Sequence, residues 1–231
     1  MSTGSSLAPA NFGGRGLFLA LDGPDGGGKS TQVPRLASWL RLVGWEVVTC
    51  RDPGGTPLGD HLRTLLLDRA SLHPALRAEM LLYMSSRAQL VEEVIRPAVE
   101  AGKAVVSDRF LLSNIVYQGF AGGLGVDVVG QVGLAATAGL LPDLTLVLDV
   151  ASDVARSRVR EARDRMEDRP MEYHARVRDG FLQAVRQADS PEGCPYYRGV
   201  IRGVDAAADA DVVAERIQAE VKRVLERGPR S

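Results

Sequence analysis

The 231-residue sequence predicts a three-layer α/β/α fold, with helices on both faces of a five-stranded parallel sheet. Three observations predict it. Short apolar runs alternate with longer segments of helical periodicity along the whole chain. The first run, Leu17–Asp22, is apolar with little alternation, as expected of a strand buried on both faces. That run passes through a glycine-rich turn directly into a helix-like pattern.

The turn is Gly23-Pro24-Asp25-Gly26-Gly27-Gly28, followed by Lys29-Ser30-Thr31, with the spacing G-x4-G-K-S of a phosphate-binding loop. Its glycines let the backbone wrap an anion and turn several N–H groups inward. The helix behind it aims its positive end at the same point. Lys29 can reach β- and γ-phosphates, and the Ser30 hydroxyl can ligate Mg²⁺. Lysine is scarce: only Lys29, Lys103 and Lys222 occur, and one falls on the motif position. Strand, loop and helix together predict a P-loop NTPase-type fold.

The remaining elements follow in order. From Ser30 to about Val43, Leu36, Trp39, Leu40 and Val43 repeat at helical spacing, with Pro34 removing one early backbone bond and Gly44 ending the helix. Residues 46–50 form the second strand. Arg51-Asp-Pro53-Gly-Gly-Thr56 is a turn cluster at its carboxyl end, where open α/β sheets bind ligands. Residues 58–67 read as a helix, and 76–99 as a long one broken near Pro97. On the long helix Glu79, Tyr83, Arg87 and Leu90 lie along one side. That line is either a core edge with a solvated charge, or a ring to stack on beside a fork to bind with.

Residues 103–107 form the third strand, ending in Asp108-Arg109-Phe110, and Ser113, Asn114, Tyr117 and Gln118 cluster just after it. Residues 119–125 read as a loop and 126–140 as a helix of small residues. Residues 144–150 form the fourth strand, 200–204 the fifth, and 211–225 a final amphipathic helix. The stretch 156–178 holds eight arginines against five acids. It is either a solvated helix with i,i+4 pairs or a phosphate clamp, for which the planar guanidinium fork is suited.

Composition narrows the function. A net charge of −1 supplies no field for nucleic acid or a membrane surface. No apolar run approaches the ~20 residues of a membrane span. Cys50 and Cys194 alone make neither a zinc site nor a disulfide scaffold, so a reduced, cytoplasmic setting is expected. Residues 1–16 read as a disordered leader without a secretory signal, 17–226 as one domain, and 227–231 as a loose tail. The only asparagines are Asn11 and Asn114, and neither begins the Asn-Lys-x-Asp run of guanine-specific switches. Asp149 is followed by Val150, not by the adjacent acid of motor ATPases. A small kinase remains.

Five segments, in order, resemble the thymidylate kinase family of nucleoside monophosphate kinases. They are the loop Gly23–Thr31; Arg51-Asp-Pro-Gly-Gly-Thr56, with Asp for the usual Glu; Glu79–Gln89; Asp108-Arg-Phe with Ser113-Asn114 and Tyr117-Gln-Gly119; and Asp164-Arg-Met-Glu167, which is similar to part of the family's lid and implies a lid at about 156–172 of the kinase domain 17–226. The resemblance runs from about Leu17 to Leu225. It implies transfer of the ATP γ-phosphate to dTMP, giving dTDP and ADP, with Mg²⁺ as cofactor and a homodimer as the assembly. It implies that Lys29 and loop residues Gly23 to Thr31 hold ATP, and that Ser30 and Asp108 hold the metal. Asp25 would sit near the acceptor sugar or the metal, with Pro53 beside the acceptor, and Arg51 and Arg109 would hold its monophosphate. Tyr83, where the family usually has Phe, would stack on thymine. Arg87 and Asn114 would read the base edge, and Tyr117 and Gln118 would close on sugar and base. The loop has Gly26 where some members carry Arg, so a lid arginine among Arg160, Arg163 and Arg165 would join Lys29, Asp25 and Arg109 at the transferring group. The alternatives are another nucleotide or nucleoside kinase of this fold, or a switch module that binds ATP without acceptor-stimulated turnover.

Overall fold

The computed structural model describes residues 7, 12, 14–68, 74–158 and 165–228. Five strands form one parallel sheet in the order β2-β3-β1-β4-β5: β1 Leu17–Asp22, β2 Val47–Arg51, β3 Ala104–Asp108, β4 Leu144–Asp149 and β5 Ile201–Asp205. The central strand alternates its side chains between two cores. Phe18 and Ala20 enter the one, with Val105, Phe110 and Val147. Leu17, Leu19 and Leu21 enter the other, with Val106, Leu146 and Leu148. A strand apolar at every position is what burial on both faces requires.

Nine helices surround the sheet among the described residues. They are α1 Lys29–Leu42, α2 Pro57–Leu67, α3 Leu76–Leu90, α4 Arg96–Glu100, α5 Leu111–Asn114, α6 Val126–Ala136, α7 Ser152–Arg158, α8 Met171–Ala188 and α9 Ala210–Arg227. Helices α1 and α9 cover the second core through Leu36, Leu40, Ile217 and Val221. Helices α3, α5, α6 and α8 cover the first through Met84, Leu111, Val129 and Phe181.

Three sequence expectations are corrected. The long helix does not break at Pro97. It widens instead over Val91–Ile95 into a π turn and resumes as α4, because the turn before proline absorbs its missing N–H and its clash with the preceding carbonyl. A second π turn, Ile115–Ala121, extends α5, so the loop expected from Gly119 begins at Gly122. The arginine-rich stretch is more than a solvated surface: α8 buries Tyr173, Val177, Phe181 and Ala184 along one stripe.

Most of the leader expected at 1–16 lies outside the described residues. Within it, Phe12 packs edge-on against Trp45 at 5.9 Å, Trp45 Nε1 donates to Leu7 O at 3.0 Å, and Arg15 pairs with Asp143. Asp143 also accepts from Phe18 N at 2.8 Å, which pins the start of β1. Of the expected tail, 229–231 lie outside the described residues and Arg227 closes α9.

Candidate active site

The loops after β1, β2 and β3 open at one edge of the sheet, with β1 at its centre. The loop after β1 curls over the start of α1, and a side chain at Gly23 or Gly26 has no room. A Cβ at Gly23 would stand 2.6 Å from Leu148 O, and one at Gly26 would stand 2.4 Å from Ala155 O of α7. Both have positive φ, 128° and 77°, which glycine alone adopts freely. Helix α7 thus occupies the space that an arginine at position 26 would need.

Lys29 is buried and folds back so that Nζ donates to Gly23 O at 3.0 Å and Pro24 O at 2.8 Å. Burial pulls the Lys29 ammonium down, Arg109 adds to it, and the nearby Asp25, Asp108 and Asp22 only partly oppose, leaving it at about 8. Ser30 faces solvent at the second residue of α1, and Asp108 is half-buried at the end of β3. Among the described residues no three acids, histidines or cysteines form a metal cage.

Arg109 ties the loop to the opposite wall. Its backbone sits at φ 67°, held by a bond from its N–H to Leu21 O, a strained conformation that turns the guanidinium back over the loop. The guanidinium donates to Gly23 O at 2.9 Å and Ser113 Oγ at 3.1 Å, pairs with Asp25, and lies 5.2 Å from the centre of the Tyr117 ring. Tyr117 OH donates to Asp25 Oδ2 at 3.0 Å. Burial alone would raise the Asp25 carboxyl, but Arg109, Lys29 and the Tyr117 bond hold it below its ordinary value.

A cleft of about 530 Å³ continues from Asp25 and Arg109. Pro53, Tyr83, Arg87 and Asn114 line it, together with Tyr117 and Gln118, so these expected acceptor residues meet in one place although they come from three parts of the chain. Arg87 is 1% exposed, and its guanidinium is already held: Nε donates to Asp52 Oδ2 at 2.5 Å, Nη1 to Met84 Sδ at 3.0 Å and Nη2 to Phe110 O at 3.5 Å. Arg51 is not in the lining; it is exposed and pairs with Asp60 at 2.9 Å. Arg63 and Met166 also line the cleft; Arg63 carries no motif that marks it in the sequence, and Met166 sits in the Asp164–Glu167 segment with nothing there to single it out. Of the lid arginines, Arg160 and Arg163 lie outside the described residues. Arg165 is bound into the body of the protein, donating to Glu79 Oε2 at 2.6 Å and Leu66 O at 3.1 Å.

A second cavity of about 560 Å³ lies on the other side of the loop, between Gly28, Thr31 and Gln32 and the segment Ala206–Ala210. Arg158 closes one end, donating to Ala206 O at 2.9 Å and Ala207 O at 3.1 Å. Gln32 Nε2 donates to Ala210 O at 2.8 Å, and its Oε1 is a buried acceptor without a partner among the described residues. Gly28 and Thr31 belong to the glycine-rich loop motif, whereas no motif flags Gln32, Arg158 or the distant segment Ala206–Ala210.

Asp22, at the end of β1, is fully buried behind the loop. It accepts from Ser113 Oγ through Oδ1, while Oδ2 has no partner among the described residues. Burial pushes its carboxyl up to about 6, against the opposing pull of Ser113, Arg109 and Lys29. Because the folded value lies above the unfolded one, the charged form lowers stability above pH 6, and the penalty fades as pH falls toward 4. Asp22→Asn is therefore expected to raise stability at pH 7 by up to about 3 kcal/mol, with no gain near pH 3.5. Equal denaturation midpoints for the two proteins at pH 7 would contradict this.

Two comparisons bear on the site. The family model described as "Thymidylate kinase" matches residues 21–190. Among curated proteins, the thymidylate kinase of Caldanaerobacter subterraneus subsp. tengcongensis is 46% identical over 180 residues, covering 77% of this chain and 85% of that protein. The thymidylate kinase of Deinococcus radiodurans is 46% identical over 171 residues, covering 73% and 82%. That of Clavibacter sepedonicus is 42% identical over 216 residues, covering 92% and 98%.

Proposed function

The chain belongs to the thymidylate kinase family, and we infer that it carries out the reaction of that family, transfer of the ATP γ-phosphate to dTMP giving dTDP and ADP. The observation that carries this reading is the pair of cavities on either side of one phosphate loop, with Arg109 of the first held to that loop through Gly23 O. The donor base fits beside Ala206–Ala210, where Gln32 and backbone groups can read it. The triphosphate then runs over the loop amides to Lys29. The acceptor base fits against Tyr83, with Asn114 at its edge and its phosphate toward Arg109. Arg63 takes the second phosphate-facing position that sequence reasoning gave to Arg51. Arg87 is pre-positioned by Asp52, so it binds without first ordering a long side chain. Tyr117 and Gln118 close on sugar and base.

Loose phosphoryl transfer needs positioning and charge neutralisation, not a covalent intermediate. Lys29 neutralises charge at the transferring group, and Asp25 fixes Arg109 between donor and acceptor. With Arg165 committed to Glu79, the lid arginine of the reaction is Arg160 or Arg163. For Mg²⁺ the residues present fit: Ser30 and Asp108 are hard oxygen donors, and a sparse protein set suits an ion that keeps its waters and leans on substrate phosphates. Held by Ser30 and Asp108, the ion would supply positive charge to offset that of the phosphates.

No helix among the described residues is long and apolar enough to cross a membrane. The assembly is a homodimer in this reading. Leu58 and Leu65 on α2, Leu81 on α3 and Val128 on α6 are exposed apolar side chains on three helices that pack side by side. Sedimentation at twice the chain mass is expected, and a monomer at micromolar concentration would contradict it.

The reading is tested by ADP release from ATP and Mg²⁺ with dTMP, dUMP, dCMP, dGMP, AMP or thymidine offered in turn. Strong stimulation by dTMP above dUMP is expected. A different active acceptor would keep the donor site and overturn the acceptor pocket, and ATP binding with no acceptor response would favour a switch module.

A further inference from the structure

Glu79 is fully buried on α3, does not line the acceptor cleft, and is not used in the mechanism above. Its surroundings form an ordered chain of hydrogen bonds. Oε2 accepts from Arg165 at 2.6 Å and Arg169 at 3.3 Å. Oε1 accepts from Gln118 Nε2 at 2.8 Å. Gln118 Oε1 in turn accepts from Asn114 Nδ2 at 2.6 Å. At the end of the chain Asn114 Oδ1 is buried without a partner among the described residues, on a side chain that lines the cleft.

Each link has one polarity. A carboxylate flanked by two guanidinium groups offers only acceptors, so Gln118 must turn its NH₂ toward Glu79. Its carbonyl then faces Asn114, which must answer with its own NH₂. What remains for the cleft is an acceptor. We propose that Glu79 sets the direction of this amide chain and thereby makes the acceptor site select a base with an N–H at ring position 3, as in thymine and uracil, over one with a bare nitrogen there, as in cytosine. Glu79 is a positioning residue in this scheme, acting through Gln118 and Asn114. A neutral amide at position 79 leaves both directions of the chain open, and Asn114 can then present NH₂ to a cytosine edge. The inference rests on the reading of the cleft as the acceptor-base pocket.

The test is equilibrium binding of dTMP, dUMP and dCMP by titration calorimetry without ATP, in the wild-type protein, Glu79→Gln and Gln118→Leu. Wild type is expected to favour dTMP over dCMP by roughly 10²-fold or more, since a site built to pair with an N–H leaves its acceptor unpaired against the wrong base. Each variant is expected to narrow that ratio about tenfold, with dUMP following dTMP. A residue that merely supports the fold would weaken all three nucleotides alike. Folded variants that keep the wild-type ratio would overturn the role of Glu79 alone, whereas a wild-type protein that does not prefer dTMP would overturn the pocket itself. If Glu79→Gln does not fold, Gln118→Leu decides by the same ratio, because it cuts the chain and leaves the Glu79, Arg165 and Arg169 cluster intact.

Discussion

Lys29→Ala lowers kcat by about 10³-fold while leaving the fold intact. The expected size follows from removing the one cation that the loop aims at the transferring phosphoryl group; losing even a single well-placed donor there costs about 10²–10³-fold. In the structure Nζ has no carboxylate within salt-bridge range among the described residues and rests on two carbonyls, Gly23 O and Pro24 O, so little else is disturbed. Its lowered value, about 8, adds a pH signature. The unfolded chain holds this proton to a higher pH than the folded one, so the contribution of Lys29 to stability is least below pH 8 and improves as pH rises toward 10.5. ATP binding should run the other way, with KM for ATP rising above pH 8 as the free enzyme loses the charge. Both trends should vanish in the alanine variant. A variant that keeps more than a tenth of wild-type kcat would exclude the phosphate-loop assignment.

Arg87→Met is the substitution expected to cost most in stability, about 3–5 kcal/mol. Arg87 and Asp52 are a fully buried pair, 2% and 0% exposed at the side chain. Methionine fills much of the same volume but leaves Asp52 without its cation, with Oδ1 already lacking a partner among the described residues. Burial already raises the Asp52 carboxyl against the pull of Arg87. Without Arg87 the folded value rises further above the unfolded one, so the variant should regain stability as pH falls from 7 toward 5. Chemical denaturation at several pH values measures this. The double variant Arg87→Met with Asp52→Asn should recover part of the loss at pH 7, because the remaining group is neutral. An unchanged midpoint in the single variant would mean that the pair contributes nothing net.

The glycine-rich loop proposed to hold the donor was legible in the sequence because its pattern is local: nine consecutive residues hold the glycines, lysine and hydroxyl. The strands were legible to within a residue or two because burial on both faces leaves apolar runs with no alternation. The lining of the candidate acceptor cleft was legible only through family resemblance. Spacing puts Tyr83 beside Arg87 on one helix side but does not say that Asn114 meets them, and Arg63 and Arg51 cannot be ranked until α2 is placed. Helix α8 hid its buried stripe inside a run of charges, since Tyr173, Val177, Phe181 and Ala184 are diluted among arginines and acids. Asp22 was read as the end of a strand; its burial depends on Ser113, 91 positions away. Glu79 was placed correctly on one helix side with Tyr83 and Arg87, but its partners Arg165 and Gln118 lie 86 and 39 positions away, beyond the reach of periodicity.

The most direct measurement follows the phosphoryl group itself. ATP labelled at the γ-phosphate is incubated with the protein, Mg²⁺ and dTMP, and the products are separated. Label recovered in dTDP, at a rate that Lys29→Ala abolishes, is the expected result. Label released as inorganic phosphate, or carried to dTDP equally well by Lys29→Ala, would contradict the assignment of this chain as a kinase that positions both nucleotides around one loop.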